Sequence, residues 1–448
     1  MKLKNRITKS CLAIALFFAA ATQAQFKISG TVTGPNKKPI PYSVVGIQNT
    51  FISTMAQSDG TYEIKKLKAG KYVLLTHCVG YKTRVDSIDV SADLIFDVAL
   101  ANEDVSLDEI PVSSTRATKQ TGMAYTELSK EDIEKQNLGQ DIPMILNSAP
   151  SVVVNTDAGN GVGYTGLRIR GTDGTRINVT INGIPVNDAE SQGTYFVDMP
   201  DLLSSVNSIQ IQRGVGASSN GAGAFGASIN MQTNTLNEKP YAQIINSGGS
   251  YNTVRNTIAA GSGLISKHFA FDARLSRINS DGYIDRASSK LSSYYLAGGY
   301  YSNKTVIKAI MFSGKEKTYQ AWYYVPEDSI KRGNRTYNPS GEHIGSDGKI
   351  AYYDNETDNY KQDNYQVHLI QTINDKLNFT LAGHYTEGKG YYEQYRSGDA
   401  LADYGIPDVF IDSLTTITNT DLIRRRWLDN DFIGMVGNLN YAPINKLK

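Results

Sequence analysis

From Tyr241 onward apolar residues recur at every second position, and this period limits what the chain can fold into more than any other feature. Phe269, Phe271, Ala273 and Leu275 alternate with His268, Asp272, Arg274 and Ser276. Leu377, Phe379, Leu381 and Tyr385 are interleaved with Asn378, Thr380, His384 and Thr386. Successive residues of a strand point to opposite faces, so each segment has one apolar and one polar face. About eight such strands are read, near 241–248, 252–262, 268–279, 291–302, 304–315, 362–373, 376–388 and 431–443. Their connections differ in length: short at 262–267, 302–303, 374–375 and after 442, long at 280–290, 316–361 and 389–430. Outer-membrane barrels keep short turns on the periplasmic side and long loops outside, with lipid on one strand face and water or protein on the other. Composition agrees with this reading. A mean hydropathy of −0.34 is too polar for a bundle of membrane helices, while Tyr (28) and Gly (40) are abundant. A net charge of +1 gives no ground for a nucleic-acid partner.

A second kind of region lies upstream. Residues 167–187 read LRIRGTDGTRINVTINGIPVN, and residues 199–233 read MPDLLSSVNSIQIQRGVGASSNGAGAFGASINMQT. Short alternating strands (Leu167–Ile169, Val179–Ile181, Ile209–Ile211, Ile229–Met231) are joined by turns rich in Gly and Asn, residues that accept positive φ cheaply. Arg-Gly, Asn-Gly-Ile-Pro, Gln-Arg-Gly and a Gly/Ala run closing on Ala-Ser-Ile-Asn follow one another in this order. The series resembles the plug domain of a TonB-dependent outer-membrane receptor. The resemblance implies energised uptake of a scarce nutrient, with TonB and its inner-membrane energising complex as partner. It makes Arg168, Arg170, Gly171, Gly183, Arg213, Gly214 and Gly226 structural residues of the plug. The three arginines would pair with carboxylates across the barrel wall, Asp272 being one candidate. Two departures stand out: Asn182-Gly183 replaces the usual Asp-Gly, and Gly226-Ala-Ser-Ile-Asn230 lacks a second glycine.

The N-terminal part divides further. Lys2, Lys4, Arg6 and Lys9 precede an apolar run from Leu12 to Ala21 and small residues before Gln25, the pattern of a signal peptide over residues 1–24. The mature chain then retains Cys78 alone, so it can form no internal disulfide. Residues 25–100 show short strands and turn signals at regular spacing, which argues a small β-sandwich. The string from Ile28 to Tyr81 resembles the carboxypeptidase regulatory-like domain, which precedes the plug in receptors of Bacteroidetes-type bacteria. Residues 101–119 are a polar linker. Within it, Asp108, Glu109, Ile110, Pro111, Val112 and Ser113 resemble a TonB box, and Pro111 with its β-branched neighbours favours the extended form needed for strand addition to TonB. The plug occupies 120–237, with short helices at Ser129–Glu134 and Ile142–Ser148, and a partial receptor barrel follows over 238–448. The fold class is therefore mainly β: a small β-sandwich, an α+β plug, then the first part of a transmembrane antiparallel β-barrel. Eight strands cannot enclose a plug of this size, for which the family uses roughly 22, so the chain reads as truncated or as part of a longer one.

No catalytic constellation emerges. Gly221-Ala-Gly223-Ala-Phe-Gly226 matches G-x-G-x-x-G but runs into a strand rather than a helix, against a nucleotide site. His384 and Glu387, three apart on a strand, point to opposite faces and make a poor metal pair. Neither cofactor nor metal is implied, and no enzyme reading survives. By the resemblance, substrate contacts fall on outward plug loops at Asn160, Tyr164, Arg176, Asp188, Glu190, Gln192 and Tyr195, joined by Tyr319, Trp322, Tyr323 and Tyr324 from the long connection 316–361. Aromatic and cationic groups suit a ferric chelate of the dicitrate or siderophore type, and suit a sugar almost as well. The readings that follow are iron uptake, glycan import with a surface lipoprotein, or a non-transporting adhesion protein; outer-membrane lipid surrounds the barrel in each.

Overall fold

A computed structural model of the chain describes residues 25–35, 37–78, 81–101, 115–118, 122–216, 220–221, 223–233, 237–374, 376–412 and 414–441. The leader (1–24) and the box at Asp108–Ser113 lie outside the described residues. The chain divides into two compact units between Glu109 and Ile110.

The first unit is a β-sandwich. One sheet pairs Phe26–Thr33 antiparallel with Thr61–Leu67 and parallel with Leu94–Ile95 and Val98–Ala99. The other runs Ser53–Met55, Val44–Ile47, Gly70–Cys78, Tyr81–Val90. Alternation decides the inner face: Tyr62, Ile64 and Leu67 of one strand meet Val45, Ile47 and Leu74 of the other sheet in a single core. The buried Tyr62 hydroxyl would be costly unpaired; it donates to the Phe96 carbonyl at 2.6 Å.

The second unit begins with the plug, whose centre is a five-stranded sheet in the order Ile184–Pro185, Ile177–Ile181, Ala227–Thr233, Val206–Arg213, Tyr125–Ser129. Only the Ile177–Ile181 and Ala227–Thr233 pair is parallel. All five residues of Ile177–Ile181 are buried, as for a strand covered on both faces. Of its two buried polar members, Thr180 donates its hydroxyl to Asn230 Oδ1 at 2.8 Å, while the Asn178 side-chain nitrogen is buried without a partner. Asn182 (φ 55°) and Gly183 (φ 80°) close the hairpin to Ile184, a pair of left-handed positions that this dipeptide accepts at little cost. Helix Lys130–Gln136 starts at Ser129 with a capping box through Asp132, and helix Ile142–Leu146 covers the sheet.

Eight antiparallel strands follow in chain order: Tyr241–Gly249, Thr253–Gly261, Phe269–Ser280, Ser289–Tyr301, Thr305–Tyr319, Thr357–Asn374, Leu377–Ala400 and Asn419–Tyr441. Phe269, Phe271 and Leu275 face outward, while Ala270, Arg274, Ser276 and Ile278 are buried on the plug side. Tyr295, Ile310 and Phe312 of the wall join Ile209, Ile211, Ile229 and Met231 of the plug in one core.

The strands run farther toward the long connections than the period suggests. The long connections are 281–288, 320–356 and 401–418, so Tyr319 ends a strand and Arg424–Asp431 lies within one rather than in a loop. Cross-strand contacts hold these extensions, as where Lys389 pairs with Asp429 at 2.8 Å and Arg425 with Glu393 at 2.5 Å.

Candidate functional site

The plug is fixed to the wall by one buried ion cluster. Asp201, in the left-handed region at φ 54° before the turn Leu202–Ser205, has a side chain with no exposure. Its Oδ1 is 3.0 Å from Arg255 Nη2 and its Oδ2 3.3 Å from Arg274 Nη1. Thr257 and Ser204 donate hydroxyls to the same carboxylate, each at 2.6 Å. Arg255 also donates to the Asn137 carbonyl at 3.0 Å, and Arg274 to Ser205 Oγ at 2.8 Å. Burial alone would raise the Asp201 carboxyl, but Arg274 and Arg255, with Ser204 and Thr257, hold it below the ordinary range. The charges are thus placed opposite to the sequence expectation. The carboxylate stands on the plug and the guanidinium groups on the barrel, because an arginine reaching inward from a strand spans the gap that the short plug aspartate cannot.

No ion pair joins Arg168, Arg170 or Arg213 to a carboxylate among the described residues. Arg168 and Arg170 are exposed, the latter with Gly171 in a turn (φ 53° and 79°). Arg213 donates to Thr126 Oγ1 at 2.6 Å inside the plug. Asp272 instead accepts from Tyr241 at 2.9 Å. Gly214 (φ 102°) donates its N–H to the Gly226 carbonyl, and Gly226 lies against Thr172.

Nearer the long connections the interface is acidic. Tyr164 donates to Asp358 Oδ2 at 2.6 Å and lies 3.1 Å from Glu316 Oε1. Asp198 is buried beside them, and burial, followed by the charges of Asp358 and Asp188, lifts its carboxyl well above the ordinary value. Burial first, then Glu316, Asp358 and Asp198, likewise raise the Tyr164 phenol. Tyr164 also meets Trp322 edge-on at 6.3 Å, and Trp322 meets Tyr392 at 5.5 Å and 89°.

The aromatic wall continues with the exposed Tyr323 and Tyr324. The charge of Asp157, then burial, raises the Tyr324 hydroxyl against the opposing effect of Arg168. Burial pushes Asp157 up to about 6. Below, Glu393 is held by Tyr353, Asn355 and Arg425 at 2.5, 2.6 and 2.5 Å, which anchors the Arg424–Arg426 stretch.

The other sequence candidates are dispersed. Asn160 is engaged by the wall through Ser280 Oγ at 2.6 Å. Tyr319 is buried, its hydroxyl donating to the Tyr353 carbonyl at 2.8 Å. Arg176 sits 6.0 Å over Phe225, within the plug. Tyr195 is exposed at the start of the turn Phe196–Asp198. Asp188, Glu190 and Gln192 form a self-bonded loop, with Asp188 Oδ1 accepting the N–H groups of Glu190 and Ser191 at 3.1 and 2.6 Å. That loop borders a cavity of about 290 Å³ against Asn364, Thr386, Asp429, Asn430 and Asp431. Sequence reasoning passed over Asp157, Asp198, Glu316, Asp358 and Tyr392. The one available signal was a carboxylate in the inward phase of a strand, as at Glu316.

A plug sheet covered by a wall of transmembrane strands defines an outer-membrane β-barrel receptor. The description CarboxypepD_reg-like domain matches residues 28–112, and TonB-dependent Receptor Plug Domain matches residues 117–228. A curated TonB-dependent receptor of Formosa agariphila is 26% identical over 219 residues, which cover 45% of this chain and 21% of that protein. The closed form of the ferric-catecholate import receptor Fiu of E. coli superposes with a TM-score of 0.53 at 16% identity, over 74% of this chain and 46% of that one. The siderophore receptor PiuA of Acinetobacter baumannii gives 0.47 at 17% identity, over 73% and 44%. The chain thus carries a carboxypeptidase regulatory-like domain followed by a TonB-dependent receptor plug domain, and it is similar to TonB-dependent receptors, outer-membrane proteins whose plug faces the periplasm. It spans about a fifth of the curated relative and less than half of these solved receptors.

Proposed function

We propose that the protein imports a scarce nutrient across the outer membrane, a ferric chelate of the dicitrate or siderophore type, with energy delivered by TonB to residues 108–113. The single observation that carries the cargo reading is the aromatic wall, in which Trp322 bridges Tyr164 and Tyr392, with Tyr323 and Tyr324 exposed on the same connection and Arg168 exposed on the plug. Aromatic faces with a guanidinium group attract an anionic, often aromatic, chelate. The ion cluster at Asp201 supports the coupling. It gathers several polar attachments of plug to wall in one place, alongside those of Tyr164 and Asn160, so that a pull must break it before the plug moves. The sandwich domain would serve as a periplasmic accessory module.

A second reading, glycan import with a surface lipoprotein, is favoured by the cavity beside Asp188 and Glu190. Its carboxylates and amides suit sugar hydroxyls better than an anion. Growth of a deletion strain separates the two. Failure on ferric citrate or a ferric siderophore as sole iron source, with normal growth on polysaccharide, supports the chelate. The reverse result replaces it with the glycan.

A further inference from the structure

The β-sandwich has one sheet face that no described residue covers. Val45, Ile47 and Leu74 turn into the core, so Val44, Gly46, Val73 and Leu75 take the opposite face of the same sheet. Register extends that face in rows: Met55, Val44 and His77; then Ser53, Gly46, Leu75 and Val85; then Val73 with Ser87; then Lys71 with Asp89. Val44, Met55 and Val85 are exposed. Apart from His77, charge enters this face in its last row alone.

The turn 48–52 stands at the end where that row lies, with the Gln48 N–H donated to the Val73 carbonyl at 2.9 Å. Thr50 fixes the turn, its Oγ1 donating to the Ile47 carbonyl at 2.8 Å and accepting the Ile52 N–H at 3.2 Å. Phe51 projects from it, fully exposed. Single exposed apolar residues are ordinary, but a phenyl held out by a bonded turn beside an apolar face marks a contact surface.

The charge at this end favours an anion. Lys65, Lys66, Lys68 and Lys71 are exposed around the turn between Thr61–Leu67 and Gly70–Cys78, which Tyr72 ties down by donating to the Lys68 carbonyl at 3.0 Å. Lys27 joins them, since its neighbour Phe26 stands opposite Leu67. Three carboxylates oppose these five lysines. Glu63 is held between Lys27 and Lys65, at 3.2 and 3.0 Å. Asp93 accepts the Lys27 backbone N–H at 3.0 Å, and Asp89 stands opposite Lys71. Lys66 and Lys68 form no ion pair with a carboxylate among the described residues.

We propose that this end of the sandwich docks on anionic phospholipid of the periplasmic leaflet, Phe51 entering the boundary between headgroups and acyl chains while Lys66, Lys68 and Lys71 meet phosphate. Apolar side chains flanked by lysines bind bilayer surfaces in this way, by buried apolar area and by attraction to anionic lipid. A bilayer is also the surface that the chain itself keeps near. Residues 102–114 join the sandwich to the plug, and 13 residues extend over no more than about 45 Å. None of the docking residues belongs to plug or wall, so failure of this proposal leaves the transport reading standing.

The test reconstitutes the whole receptor, as its Cys78→Ser variant, into phosphatidylcholine bilayers with or without phosphatidylglycerol. A nitroxide is placed at Ser53→Cys, beside Phe51, or at Ser58→Cys in the turn at the other end of the sandwich. With phosphatidylglycerol present, the nitroxide at 53 should be more accessible to oxygen than to a water-soluble nickel chelate, and the one at 58 should not. Lys66→Gln, Lys68→Gln, Lys71→Gln together should shift the docking equilibrium toward water on the order of a hundredfold. Phe51→Ser should also weaken it, and the Lys→Arg triple variant should dock as wild type does. A nitroxide at 53 that stays in water with phosphatidylglycerol overturns the proposal, as does lipid contact unchanged in the Gln variant or equal at 53 and 58. Protection from the chelate that appears only on adding peptidoglycan fragments overturns the assignment to lipid. Should the Gln variant fail to fold, the wild-type lysines decide: lipid contact must weaken as salt rises, and salt-independent contact contradicts the surface.

Discussion

Asp201 is bound by two guanidinium groups and two hydroxyls, and its side chain is fully buried. Removing one partner of a buried ion cluster leaves the others uncompensated. Asp201→Ala should therefore cost about 3–5 kcal/mol, read as a lower denaturant midpoint of the plug-containing receptor. Asp141 carries the opposite sign. It is buried, accepts from Thr165 at 3.0 Å, and burial pushes it up to about 8. With an ordinary value near 3.8 in the unfolded chain, folding takes up a proton between these limits, so stability falls as pH rises from about 4 to about 8. Asp141→Asn should remove that part of the fall: the Tm of wild type should drop more between pH 5 and pH 8 than that of the variant. Neither residue announced itself in the sequence. Asp201 stands in Met-Pro-Asp-Leu-Leu like any turn residue, and Arg255 and Arg274 share the polar phase with residues that never touch the plug. Phase shows which face a side chain takes, and only the folded plug shows what that face meets.

The barrel strands were legible because lipid on one side and protein on the other impose a period of two. At 357–361 and Lys389–Ala400 that contrast disappears, since water or other strands lie on both sides, and the pattern there reads as loop. The plug sheet was legible from its turns and its short alternating strands, but the alternation of Ile177–Ile181 in sequence did not disclose that all five of its residues are buried. Close packing between elements was not legible. Gly314 is one case: a Cβ there would overlap the Asp198 carbonyl and lie 2.6 Å from Pro200 Cδ. The wall can approach the plug turn only because this position has no side chain. Gly314→Val should force the strand and the turn Phe196–Asp198 apart, costing about 1–3 kcal/mol by overpacking. The check is limited proteolysis, which should cleave the plug of the variant faster than that of wild type.

The molecule as a whole joins a sandwich domain to a plug that is seated on a transmembrane wall by a compact core and one ion cluster. The class of protein was readable from ordered motifs and strand period, since both reflect backbone demands that few residue types meet. The contact face was readable only in part. Tyr164 and Trp322 do meet, while Arg176 and Asn160 are held by plug and wall. The box at Asp108–Ser113 bears the claim of energy coupling. Val112→Pro removes a backbone donor from the strand that would pair with TonB. The decisive measurement is uptake of a radiolabelled ferric chelate by cells carrying wild type or Val112→Pro, with surface binding recorded separately at low temperature. The account predicts that the variant binds the chelate as wild type does and imports none of it. Import by the variant at the wild-type rate would contradict TonB-driven transport by this protein.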